Sequence, residues 1–90
     1  MRAIKLDGRR MDNRAAAWAH IKEALQLPDY FGNNLDALAD AIAEMSQVII
    51  QFSYGRAAIN SLGQYGQSIL EVFRQEADSR PDFVFRIVRD

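Results

Sequence analysis

The chain contains no cysteine among its 90 residues, which excludes disulfides and thiolate metal sites and suits a reducing compartment. It has one histidine, His20, and no Gly-x-Ser-x-Gly turn, so the parts of a nucleophilic catalyst are missing. No apolar run approaches the roughly 20 residues that a helix needs to cross a bilayer. The opening stretch Met1-Arg2-Ala3-Ile4-Lys5-Leu6-Asp7-Gly8 has neither an apolar core nor a cleavage-like segment. The expectation is a cytoplasmic, soluble chain without a membrane partner, forming one domain over residues 1–90. Its 49% hydrophobic and 26% charged residues are ordinary for a globular protein.

Basic residues are missing where they are most needed. The net charge is only −1, yet no Lys or Arg occurs between Lys22 and Arg56, a stretch that holds Glu23, Asp29, Asp36, Asp40 and Glu44. The basic side chains gather near the start (Arg2, Lys5, Arg9, Arg10, Arg14) and toward the end (Arg74, Arg80, Arg86, Arg89). A one-signed central segment creates a local field and points to a cationic partner. It argues against direct binding of nucleic acid there, because phosphates require Lys and Arg.

Three segments read as strands. Residues 2–6 alternate polar and apolar, residues 47–53 form a β-branched run suited to a central strand buried on both faces, and residues 83–88 are β-branched and aromatic. Helical spacing runs from about Asn13 to Gln26, where Leu27-Pro28 is expected to end the helix. A second helix is expected over Asn34–Met45 with Leu35, Leu38, Ile42 and Met45 on its inner face, then a short turn at 56–62 and a last helix over Gly66–Ser79. Strands separated by helices imply an α/β fold, a three-stranded parallel sheet with helices packed against it.

Most of the chain reads as framework. Trp18, Phe52, Phe73, Phe83 and Phe85 read as core aromatics, Tyr54 and Tyr65 fall in loop-like segments, and Gly8, Gly55, Gly63 and Gly66 read as turn residues. His20 reads as a surface or core-edge residue, and the Arg2, Arg9, Arg10 and Arg14 cluster as a solvated face.

The informative stretch is Leu27-Pro-Asp-Tyr-Phe-Gly-Asn-Asn-Leu-Asp-Ala-Leu-Ala-Asp40. A helix stop is followed by an aromatic-Gly loop and an Asn cap, and Asp36 sits in the next first turn, where the helix dipole favours a carboxylate. Asp40 and Glu44 have no such support. Asp36, Asp40 and Glu44 recur at i, i+4 and i+8, and like charges at that spacing weaken a helix by roughly 0.2–0.5 kcal/mol per pair. Two readings of this row stand side by side: a solvated face neutralised by the rest of the fold, or a surface reserved for a cationic partner.

The same stretch resembles the barstar family signature LPxYYGxNLDALWD, with a weaker echo in Leu70-Glu-Val-Phe-Arg74. The resemblance implies the three-stranded parallel architecture and inhibition of a barnase-type, guanyl-specific extracellular ribonuclease, the cognate secreted partner. It further implies that the second helix and its preceding loop plug the cationic active site, that the free inhibitor is a monomer, and that no cofactor takes part. Carried over by position, it assigns partner contacts to Tyr30, Gly32, Asn34, Asp36 and Asp40. The Asp40 carboxylate stands in for substrate phosphate. The patch extends to Leu35, Ala39, Glu44, Val72 and Gln75. The chain departs from the pattern at Ala39, where the family often has Trp, and at Gln75, where it carries Glu, with Glu76 one residue further on.

Two other readings follow from the same residues. One is a barstar-like immunity or interaction domain for a toxin that is not a ribonuclease. The other is an enzyme built on the carboxylates, for which a chain this short has little room to form a cleft. One helix face rarely wraps a hard cation, so no metal site is expected.

Overall fold

The apolar runs become three strands, β1 (Arg2–Asp7), β2 (Val48–Ser53) and β3 (Phe83–Val88), in a computed structural model that describes residues 1–88. Arg89, counted above among the C-terminal basic residues, lies outside the described residues. The strands pair in parallel in the order β1-β2-β3, with Ile4 beside Ile50 and Ile50 beside Phe85. Each parallel step needs a crossover, supplied first by α1 (Arg14–Leu25) and α2 (Leu35–Ala43), then by α3 (Gly55–Leu62) and α4 (Gln64–Ser79).

Two crossovers of the same hand, stepping in the same direction, put their helices on one face of the sheet. The burial follows. Ile4, Leu6, Val48, Ile50, Phe52 and Phe83 point into the core. Ala3, Lys5 and Arg86, on the opposite face, are exposed. The expectation that residues 47–53 would be buried on both faces is therefore corrected: Ile49, Gln51 and Ser53 are only half-buried, because no helix crosses to their side.

The helix ends differ from expectation for local reasons. In α1, Asn13 caps the N-terminus by accepting the Ala16 N–H at 2.8 Å. The helix stops before Pro28 is reached. Gln26 takes left-handed backbone, φ 56°, and its N–H and that of Leu27 fold back onto the Glu23 and Lys22 carbonyls. This is the Schellman arrangement, made here without glycine. Helix α2 ends at Ala43, so Met45 lies beyond it, half-buried against the core.

Residues 61–66 are not a loop. Only Gly63 separates α3 from α4, and both Tyr65 and Gly66 belong to the first turn of α4. Gly66 is buried, and a Cβ there would stand 3.0 Å from the Ala58 carbonyl oxygen, so close helix packing requires its glycine rather than a turn. Gly8 is tighter still: a Cβ would fall 2.0 Å from the Tyr54 carbonyl oxygen.

Trp18, Phe52, Phe73 and Phe83 are buried as expected, and half-buried Phe85 stacks on Phe73 with ring centroids 5.5 Å apart. His20, expected at the surface or core edge, is instead buried, its Nε2 accepting the Asp7 backbone N–H at 2.9 Å.

Candidate functional site

The loop from Gln26 to Asn34 lies on the first turn of α2. Phe31 donates its N–H to the Pro28 carbonyl at 3.0 Å, closing a turn around Asp29 and Tyr30. Asn34 is the N-cap of α2: its Oδ1 accepts the Ala37 N–H at 2.7 Å, and its Nδ2 donates to the Gly32 carbonyl at 3.1 Å. One side chain thus fastens both helix and loop. A Cβ at Gly32 would meet the Ala37 methyl and Asn34 Nδ2, each at 3.2 Å, so both side chains would have to shift by a few tenths of an ångström.

Between this loop and α2 runs a cavity of about 340 Å³ whose lining includes Leu27, Phe31, Ala37 and Ala41, with Tyr30, Asp40 and Glu44 also on its walls. The apolar residues and the carboxylates share one side of the helix, since 37, 40, 41 and 44 follow i, i+3, i+4 and i+7 spacing. Tyr30 is 88% exposed, so its ring is held out by the loop and buries almost nothing in the free molecule.

Ion pairs bear on the first of the two readings of the acidic row, neutralisation by the rest of the fold. Among the described residues, no Lys, Arg or His lies within ion-pair distance of Asp36, Asp40 or Glu44, and all three are exposed. The other acids of the central stretch are partnered: Glu23 with Arg10 at 3.6 Å and Asp29 with Lys22 at 3.5 Å. The arginine that does reach α2, Arg80, binds its backbone. Arg80 Nη2 donates to the Ile42 carbonyl at 2.7 Å and also to that of Met45. Among the described residues, no cation neutralises the row.

Glu76, the alternative acid near Gln75, is half-buried and its Oε2 lies 2.9 Å from Arg80 Nε. It is committed within the fold. Glu44, at the C-cap of α2, instead shares the cavity with Asp40.

Of the residues singled out from sequence, Tyr30, Gly32, Asp40 and Glu44 converge on the cavity. Asn34 organises it, and Asp36 stands one turn before Asp40 on α2. Leu35 and Ala39 are half-buried, while Val72 and exposed Gln75 sit on α4, against which α2 packs; none of these four lines the cavity. Phe31, Ala37 and Ala41 had no assigned role, although their helical spacing from Asp40 was readable for the two alanines. Among the described residues no group of three or more His, Cys, Asp or Glu is placed to hold a metal ion, and no helix is long and apolar enough to cross a membrane.

The fold is that of a small α/β protein, with an aromatic loop beside carboxylates that have no cationic partner among the described residues. The model of a family described as Barstar (barnase inhibitor) matches residues 1–89. The chain is also 34% identical, over 98% of its length and 98% of the relative's, to the Bacillus subtilis (strain 168) protein named "Putative ribonuclease inhibitor YrdF". The chain belongs to the barstar family. Its three-stranded parallel sheet is the architecture that the resemblance implied.

Proposed function

We propose that this chain inhibits a barnase-type, guanyl-specific extracellular ribonuclease by laying α2 and the 27–34 loop over its active site, acting as a monomer in the cytoplasm before the enzyme leaves the cell. The observation that carries this reading is the state of Asp40: exposed on the wall of the cavity beside Tyr30, with no cation at ion-pair distance among the described residues. A ribonuclease active site grips phosphate with Arg, Lys and His donors, and the same donors bind a carboxylate through charge-assisted hydrogen bonds. Asp40 offers them an anion without a bond to cleave. Asp36 and Glu44 extend the field, Tyr30 covers a cationic or ring-bearing side chain with little rotamer entropy lost, and Gly32 and Asn34 keep the loop close. Leu35, Ala39, Val72 and Gln75 complete the rim. The chain itself performs no turnover and needs no metal or cofactor.

The test is titration of a barnase-type ribonuclease with this protein while RNA cleavage is followed. One-to-one loss of cleavage supports the reading. Undiminished cleavage at micromolar excess contradicts it.

A second reading, an immunity domain for a different toxin, is favoured by one pair of observations: Ala39 supplies no aromatic wall, and Glu76, held by Arg80, supplies no carboxylate to replace the one missing at Gln75. Protection against a non-ribonuclease toxin, with no ribonuclease bound, distinguishes it.

A further inference from the structure

The 27–34 loop carries Tyr30, and beside its hydrogen bonds at Pro28 and Gly32 it rests on apolar packing against the core. Phe31, with Leu27, packs inward against the core. On one side Phe31 lines the cavity; on the other it rests on the Trp18 indole, ring centroids 5.8 Å apart. Trp18 is buried in α1, and its Nε1–H donates to the hydroxyl of Tyr65 at 3.1 Å, across 47 residues of sequence. Tyr65 meets the indole edge-on at 6.2 Å, and the Arg14 guanidinium lies 3.8 Å above the Tyr65 ring. The stack Arg14–Tyr65–Trp18–Phe31 therefore runs from α1 to α4, back to α1 and on to the loop.

We infer that Trp18 and Tyr65 are positioning residues for the partner-contacting loop: their hydrogen bond fixes the indole on which Phe31, and so Tyr30, is seated. The inference rests on the loop being a contact surface, as proposed above. Neither residue touches the cavity. Each acts through Phe31. An ordered loop binds faster and tighter than a mobile one because less ordering remains to be done on contact.

The test uses Tyr65→Phe, which keeps the ring and removes only the hydroxyl, together with Trp18→Phe. Ile50→Val in the sheet core serves as a control destabilised without touching the stack. In the free protein, NMR hydrogen exchange at the Phe31 amide is expected to quicken severalfold in Tyr65→Phe beyond any change at β2 amides, whereas Ile50→Val changes both in proportion. With barnase as probe, Tyr65→Phe is expected to weaken binding about three- to tenfold while leaving the salt dependence of the affinity unaltered, because no charge has been removed. Trp18→Phe should do the same or more. Unchanged exchange at Phe31, or exchange that rises equally throughout the protein, overturns the positioning role. Failure of the wild-type protein to bind barnase counts against the partner reading alone, since the exchange comparison still decides the role of the stack.

Discussion

Nη2 of Arg80, at the end of α4, sits 2.7 Å from the carbonyl oxygen of Ile42, near the end of α2. The relationship resolves a difficulty in α2. That helix has no basic residue in its last turn, and Glu44 lies at its C-cap, where the helix dipole already places negative charge. Arg80 supplies the missing cation from another element. It satisfies the Ile42 and Met45 carbonyls and leaves the acidic side chains untouched. The cost of an acidic helix end is offset from below, through the backbone, so the surface stays negative.

Arg80→Ala should therefore destabilise the fold by about 2–4 kcal/mol, since hydrogen bonds from a charged donor contribute roughly 1.5–3 kcal/mol each and are not additive here. Arg80→Lys should recover less than half, because an ammonium cannot reproduce the planar fork that reaches Glu76 and two carbonyls together. Urea denaturation of the three proteins measures this. Equal stability of wild type and Arg80→Ala would show that the clip is incidental.

Glu76 and Gln75 make opposite predictions despite being neighbours. With its carboxylate held by Arg80, Glu76→Gln should change affinity for a cationic ribonuclease by less than about threefold. Gln75→Glu should tighten binding and steepen its salt dependence, since it adds an exposed charge on the helix beside α2. Calorimetry at two ionic strengths separates them, and a large loss in Glu76→Gln would place Glu76 on the contact surface.

His20 gives the fold a pH dependence. Burial, and secondarily the positive charge of Arg10, hold its pKa below the usual 6.5; the opposing pull of Asp7 and Glu23 is smaller. The neutral ring is the form that accepts the Asp7 N–H. Because the unfolded chain takes up the proton more readily, stability is fully present above about pH 6.5 and declines as pH falls through that value toward the folded pKa. Urea midpoints should therefore fall between about pH 7.5 and about pH 5, and His20→Gln should remove much of that slope. The Asp7 carboxyl, held below its ordinary 3.8 first of all by its hydrogen bond with Arg9, titrates in a lower range. An identical slope in His20→Gln would assign the effect elsewhere.

The parts of this molecule legible from sequence are those written in short range. The three strands, the Asn cap of α2 and the acidic row depend on residues within a turn or two of one another. The loop-to-helix join around Asn34 was readable because one cap side chain sets it. Features made by distant residues were not. Nothing near Trp18 announces Tyr65, and nothing in α2 announces Arg80, 38 residues beyond Ile42. The half-open face of β2 was hidden for a related reason: Val48, Ile49 and Ile50 are all apolar, and only the crossovers determine which of them meets helices. Gln26 ended α1 by adopting backbone that sequence would have assigned to glycine, so Pro28 received a role it does not have.

Everything proposed about the partner depends on Asp40 being free for it, and calorimetry of Asp40→Ala against a barnase-type ribonuclease, beside Arg10→Ala, tests that most directly. Removing a carboxylate that has no ion-pair partner among the described residues should leave the melting temperature equal or slightly higher. The same change should weaken the complex by about 3 kcal/mol or more, on the order of a hundredfold in Kd, because cations in the enzyme's site are left buried and unpaired. Arg10→Ala should bind nearly as wild type. Comparable losses from both variants, or a marked fall in the melting temperature of Asp40→Ala, would contradict the account.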